Sequence, residues 1–437
     1  MTDCTQSEFD FPAVKRRRVQ ASFDGGAITS DGGALLLREV DRTLGLTVAV
    51  ARALGDTRRR ASCTHDLTTL LRQRIFALAL GYEDLNDHQQ LRHDVALQTA
   101  VDAQQLLGSQ STLCRLENGA GRESAIALHE VLIEQFIASF KHRPKKLVLD
   151  FDATDDAVHG QQVGRSFHGY YDRYCFLPLY VTCRDQVLVS YLRPSRIDGA
   201  KHAWAILSLL VKRLRQAWPK VRIVMRADSG FCRHRMLRWC ERHDVGYIIG
   251  LAKNPRLERQ SASLHEAATV QFEASGKKVR CFGEFAYAAN TWDRTRRVIA
   301  RIEVSAKGFN PRFVVSNVSG KAKPLYDKLY CARGEMENRI KEQQLDMFAD
   351  RTSCHHWWPN QLRLLLSTLA YTLVEALQRL ALQGTPLARA YVGTIRLKLL
   401  KIGAVVIRNT RRVRLMLSSQ YPYQDLFALV VARLQPG

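Results

Sequence analysis

The residues with the types to do chemistry are acidic, in a chain that is otherwise strongly basic. Asp150 and Asp152 close the apolar run LVLDFD, and Asp228 closes RIVMRAD just before Ser229 and Gly230. A third carboxylate, Glu337, lies in the charged segment YCARGEMENRIKEQQ. In an α/β sheet functional groups collect at strand C-terminal ends, and carboxylates on strands about 5 Å apart can share a divalent cation. Carboxylates without His or Cys suit the hard ions Mg²⁺ or Mn²⁺ rather than Zn²⁺. Each has a plainer alternative. An Asp ending a strand is commonly a turn or cap, and Glu335, Glu337 and Glu342 fit a solvated helix face paired with Arg339 and Lys341. Asp150, two residues before Asp152 and on the same strand face, competes for the first role. Asp155 and Asp156 fit the turn that follows.

Positioning these groups requires strands in a definite order. KLVLDFD reads as a buried strand, CFLPLYVTC and QVLVSYLRP as two more joined at Arg184 and Asp185, then DGAKHAWAILSLLVKRLRQAW as an amphipathic helix. RIVMRADSGF, HRMLRWCERHD and VGYIIGLA follow as strand, helix and strand. Two hairpin-connected strands after a first one, then β-α-β, is the order of a ribonuclease-H-like sheet, so the fold class expected is α+β. The reading divides the chain into a basic N-terminal arm (1–27), an all-helical N-terminal domain (28–143), a ribonuclease-H-like core (144–253 and 321–385), a β-strand insertion (254–320) and a basic C-terminal region (386–437). Period-two alternation around Asn409 and Thr410 predicts a hairpin in the last of these.

The chain has 437 residues, enough for two or three domains, and 65 Lys and Arg against 42 Asp and Glu leave it at +23. That balance points to a polyanionic partner. The first residues lack the apolar stretch of a secretory signal. The most apolar run, LRLLLSTLAYTLVEALQRLAL, is interrupted by Arg363, Glu375, Gln378 and Arg379, so no membrane span is expected. Ten scattered Cys without a C-x-x-C pair read as reduced thiols. The expected location is the cytoplasm, on the nucleoid.

The strings LDFDATDD, RADSGF and YCARGEMENRIKE resemble the three catalytic segments of DDE transposases of bacterial insertion sequences. More narrowly they resemble the group numbered thirteen-eighty, among the IS-four-type enzymes. TDDAVHGQQVGRSFHGYY, SQSTLCRLEN and ADRTSCHHWWPNQLRLLLSTLAY share the likeness, which runs from about Phe23 past Arg414. The resemblance implies that Asp152, Asp228 and Glu337 are the catalytic triad and hold two Mg²⁺ ions, with Mn²⁺ able to substitute. It further implies cleavage of double-stranded DNA at terminal inverted repeats, strand transfer into a target, and action as a homodimer. The family signature Y-x2-R-x3-E-x6-K matches Tyr330, Arg333 and Glu337 as DNA-contacting and catalytic positions. It calls for Lys at 344, where this chain has Gln344; Lys341, one turn earlier, is the available phosphate contact. Two other functions stay open: a catalytically silent DNA-binding repressor, which Gln344 favours, and a stand-alone endonuclease.

Basic clusters at Lys15-Arg16-Arg17-Arg18, Arg58-Arg59-Arg60 and Arg411-Arg412-x-Arg414 offer salt-sensitive phosphate contacts or solvated surface. The segment ending SQSTLCRLENG reads either as a helix-turn-helix presenting Ser111, Thr112 and Arg115 to a major groove or as a packing helix. Trp292, among Arg294, Arg296 and Arg297, is a candidate platform for an unpaired base or an ordinary buried Trp. Arg226 fits a phosphate clamp or a structural ion pair. His355 and His356 lack ligand partners at metal spacing and read as helix-start packing.

Overall fold

A computed structural model describes residues 8–59, 61 and 63–435. Cys4, the first residues of the basic arm, and Arg60 of the triple-Arg cluster lie outside them. The chain forms two compact units, one of residues 1–128, 346–348 and 366–437, the other of residues 129–345 and 349–365.

The second unit is built on one mixed eight-stranded sheet. Its strands are β1 (Lys146–Ala153), β2 (Leu179–Cys183), β3 (Gln186–Tyr191), β4 (Arg222–Ala227), β5 (Gly246–Leu251), β6 (Val279–Tyr287), β7 (Arg296–Ser305) and β8 (Gly308–Ser316). Their spatial order is β6-β7-β8-β5-β4-β1-β2-β3. β1, β4 and β5 run parallel, whereas β2 and β3 are antiparallel neighbours on one side. The hairpin turn between them falls at Arg184, which takes a left-handed φ of 59°, as the sequence reading placed it. The strand-rich segment expected as an insertion at 254–320 extends this sheet. β8 pairs antiparallel with β5, and β7 and β6 follow in a meander. The helices Pro255–Gln260 and Ala262–Ser275 precede it.

Period-two alternation sends successive side chains to opposite faces. Leu147, Leu149 and Phe151 of β1, Ile223, Met225 and Ala227 of β4, and Tyr247 and Ile249 of β5 share one core with Leu207, Leu210, Leu214, Met236, Leu237 and Cys240. Those last six come from α1 (Ala203–Ala217) and α2 (His234–Arg242). Val148, Val224 and Ile248 point the other way and pack with Leu325 and Tyr326. The latter two belong to a continuous helical run over 322–346, π-helical at Leu325–Tyr330, tightened at Cys331–Arg333, α-helical as α3 (Gly334–Lys341) and π-helical again at Glu342–Asp346. Each fully buried Leu on these faces contributes roughly 1.5–3 kcal/mol. The sheet is thereby fixed between two helical layers, and even-numbered β1 positions, Asp150 and Asp152 among them, face the 322–346 layer.

The first unit is mixed: the described residues of 28–143, expected to be all-helical, form helices apart from the two-residue strand Ile28–Thr29, and strands from outside that range complete the unit. It does contain helices Ala34–Leu44, Leu46–Leu54, Leu67–Leu80, Val95–Ala100 and Gln110–Asn118. It also contains a hairpin, Phe9–Val14 with Arg17–Ala21, and a small sheet in which Ile28–Thr29 pairs with Ala404–Arg408 and that strand with Val413–Leu417. The last pair is the hairpin predicted around Asn409. Its second neighbour lies more than 370 residues earlier in the chain and leaves no local trace. Among the described residues no helix is long and apolar enough to cross a membrane.

Candidate active site

The parallel register of β1 and β4 sets Arg226 beside Asp150 and Ala227 beside Phe151; Asp228 follows directly, near enough for its charge to act on Asp152. β4 ends there because Asp228 caps the short turn Ser229–Phe231, its carboxylate accepting from the Gly230 N–H at 2.8 Å. β5 passes close by. A Cβ on Gly250 would lie 2.7 Å from both the Ser229 nitrogen and the Tyr330 Oη, so only glycine lets this strand approach both groups.

The two acidic residues of β1 have different surroundings. Asp150 is buried and locked by Arg226, whose Nη2 donates to Oδ2 at 2.7 Å and whose Nε donates to Oδ1. Arg226 also donates from Nη1 to the Leu329 carbonyl at 2.5 Å, tying the sheet to the 322–346 helical run. Of the two readings of Arg226, the structural ion pair is the one present. Asp152 faces other carboxylates. Burial first, then the negative charge of Asp228, push its carboxyl up to about 6, with Glu337 adding to the rise; Arg333 and the Ala153 N–H pull it down. Arg333 donates from Nη1 to Asp152 Oδ2 at 3.1 Å and from Nη2 to Glu337 Oε1 at 2.7 Å. One guanidinium therefore links the first carboxylate to the third.

The matched signature residues Tyr330, Arg333 and Glu337 all lie on the 322–346 run. Tyr330 sits at its π-helical turn, half-buried, its hydroxyl pushed by burial up to about 12; it is a neutral donor at ordinary pH. Glu337 is exposed on α3, and Lys341 is exposed one turn beyond. Such π turns recur at functional sites. Gln344, where the signature has Lys, donates its amide to the Asp155 carbonyl at 2.8 Å, holding the loop that follows Asp152. No sequence signal announced that contact, nor the packing role of Gly250.

Among the described residues no three His, Cys, Asp or Glu side chains are grouped closely enough to hold a metal ion. The donor chemistry nonetheless fits a hard divalent cation. Asp152 and Asp228 offer only oxygens, and their mutual repulsion is what a cation would relieve. Arg333 now occupies both Asp152 and Glu337.

The remaining predicted contacts divide. Arg296 is withdrawn as a DNA contact: it is buried at 5% exposure and donates to Glu241 at 2.6 and 2.9 Å and to Asp293 at 2.8 Å. Its acidic partner is 55 residues away in sequence, so the run of arginines reads as a surface patch until the fold is known. Trp292 is half-buried against the core, edge-on to Tyr287 at 5.5 Å, with the Arg296 guanidinium 5.3 Å from its ring centre; it packs as an ordinary structural Trp. Trp357 begins the helix Trp357–Ala381 and packs on Phe176 at 5.3 Å, the helix-start role expected of this segment. In the first unit, Ser111 and Arg115 are exposed on the helix Gln110–Asn118, whose Leu113 is buried against Leu70 and Leu85. Arg411 and Arg412 are exposed at the hairpin turn, both backbone N–H groups donating to Asn409 Oδ1 at 3.0 Å.

A family model for transposase DDE domain group 1 matches residues 11–437, and the chain belongs to that family of DDE transposases. Comparison with curated proteins gives no match. Among solved structures, a piggyBac transposase synaptic complex with hairpin DNA, determined by cryo-electron microscopy, is similar at 11% identity and a TM-score of 0.42, over 84% of this chain and 80% of that one.

Proposed function

We propose that the chain is an active transposase that binds the terminal inverted repeats of its own insertion sequence, cuts the DNA ends and joins them to target DNA. The observation that supports this best is the meeting of Asp152 with Asp228 at the parallel strand ends and, through Arg333, with Glu337. The strand order β3-β2-β1-β4-β5, antiparallel then parallel, supports a ribonuclease-H-like core, and the similarity to enzymes of group thirteen-eighty supports a bacterial source.

Asp152, Asp228 and Glu337 would hold two Mg²⁺ ions, or Mn²⁺ in their place, which supply an activated hydroxyl and neutralise charge on the attacked phosphate and leaving oxygen. The protein's own groups do the rest. Arg333, released from the two carboxylates, can fork onto a phosphate. Tyr330, kept protonated, can donate a hydrogen bond to the strand. Lys341 takes the phosphate contact that Gln344 cannot make. Sequence reading falls to the helix carrying Ser111 and Arg115, phosphate contact to Arg411 and Arg412, and paired ends require a homodimer acting on double-stranded DNA at the nucleoid.

The test is a set of alanine variants assayed on DNA carrying the element's ends. Asp152→Ala, Asp228→Ala and Glu337→Ala should each lose cleavage while repeat binding stays within a few-fold; a variant that cuts normally removes its residue from the triad. If Asp152→Ala cuts and a folded Asp150 variant does not, the first ligand is Asp150. The reading favoured by Gln344, a silent DNA-binding repressor, requires that wild-type protein bind the repeats without cutting in either metal.

A further inference from the structure

The layer of α1 and α2, on the sheet face opposite the carboxylates, carries a basic and aromatic groove that the reaction above does not use. Trp204 of α1 and Trp239 of α2 pack their inner edges on the core. The Arg235 guanidinium lies 3.9 Å from the Trp204 ring centre, and the His243 ring stacks on Trp239 with centroids 4.4 Å apart and planes within 16°. With His234, Arg238 and Arg242, these groups line a cavity of about 450 Å³ that no carboxylate enters. Arg238 and His234 lean toward Asp293 at 3.9 and 3.5 Å. Arg235 and Arg242 are exposed and have no carboxylate within ion-pair distance among the described residues.

Cations alone would suit any polyanion, but the stacked rings narrow the choice. Arg235 over Trp204 and His243 over Trp239 each present a flat π surface. Bases inside a duplex are already stacked and offer no free face, whereas unpaired bases do. We propose that this groove binds single-stranded DNA, with Arg235 and Arg242 on phosphates and the His243–Trp239 pair stacking an unpaired base. The inference rests on the DNA-processing reading only for the identity of the polyanion, since processing duplex ends exposes unpaired strands. It also moves the base platform from Trp292, which is packed and ion-paired around, to a different pair of helices.

The test uses the full chain and fluorescence anisotropy with labelled single-stranded DNA and with duplex carrying the terminal repeat. Arg235→Ala/Arg242→Ala should weaken single-strand binding about tenfold and flatten its log–log salt slope by about 1.4, at ~0.7 per lost phosphate contact. His243→Ala, at an exposed position that leaves both Trp in place, should weaken single-strand binding several-fold with no change in salt slope. Neither should change binding to repeat duplex. Unchanged single-strand affinity, or an equal loss on duplex, overturns the proposal. So does a change in solution mass with single-strand binding intact, which would make the groove a contact between copies of the chain. Cleavage of repeat DNA by the wild-type protein is scored separately, so failure of the transposase reading cannot be mistaken for failure of the groove.

Discussion

Asp152→Asn should inactivate the protein and at the same time stabilise it. Asp152 is half-buried beside Asp228, and partial burial with that neighbouring charge pushes its carboxyl up to about 6 from 3.8. A group whose folded value lies above its unfolded one is penalised when ionised: the penalty is absent below 3.8, grows between 3.8 and about 6, and is complete above that. A difference of about two pH units at ~1.36 kcal/mol each gives roughly 3 kcal/mol at pH 8. Asparagine removes the charge but keeps an oxygen for Arg333, so most of that energy should return as stability. For a unit of this size it corresponds to a rise of several degrees in melting temperature. Scanning calorimetry of both proteins without divalent metal, from pH 4 to pH 8, reads it directly: the two curves should lie close together at pH 4 and separate as pH rises. Mg²⁺ or Mn²⁺ should raise the melting temperature of the wild type at pH 8 and leave that of Asp152→Asn nearly unmoved. An asparagine variant less stable than wild type at pH 8, or a gap that does not depend on pH, would refute the electrostatic account of the site.

Asp150→Ala should behave in the opposite way, losing about 3–5 kcal/mol in urea unfolding because it strands the buried Arg226 charge; a loss below 1 kcal/mol would contradict the lock between Asp150 and Arg226. Gly250→Ala forces a Cβ against the Ser229 nitrogen and Tyr330 Oη, displacing the turn that carries Asp228, and should lower cleavage at least tenfold while circular dichroism stays native. Gln344→Lys gives up the bond to the Asp155 carbonyl and gains a cation; it should tighten DNA binding and steepen its salt dependence by about one phosphate contact, and an unchanged slope would show that position 344 does not reach DNA.

The central strands were legible because each is a short apolar run ending in a chemically distinct residue. LVLDFD, RIVMRAD and VGYIIGLA gave β1, β4 and β5 with their order, and with them the neighbourhood of Asp152 and Asp228. The strands from Val279 to Ser316 were also visible as strands. Their attachment to β5 was not, because antiparallel pairing of β8 with Leu251 and its neighbours is a tertiary contact with no periodic signature. The same holds for the arginines. Arg226 and Arg296 look like candidate phosphate contacts in the sequence, and only the fold supplies Asp150 and Glu241 as their partners. Among the described residues of 28–143 the one strand, Ile28–Thr29, was not legible because it is two residues long and takes its partner from Ala404–Arg408. Conversely, the Trp204 and Trp239 groove went unnoticed because its two helices are separated by β4.

The account's central claim is that Asp152, Asp228 and Glu337 form one metal-dependent site for cutting and joining DNA. A strand-resolved assay with labelled DNA carrying the element's ends, in Mg²⁺ or Mn²⁺, tests it most directly when run beside Glu337→Ala. The account predicts cuts at the element boundary and joined products with wild-type protein, both lost in the variant although it still binds the ends. Tight binding with no cut in either metal, or products that persist in Glu337→Ala, would contradict it.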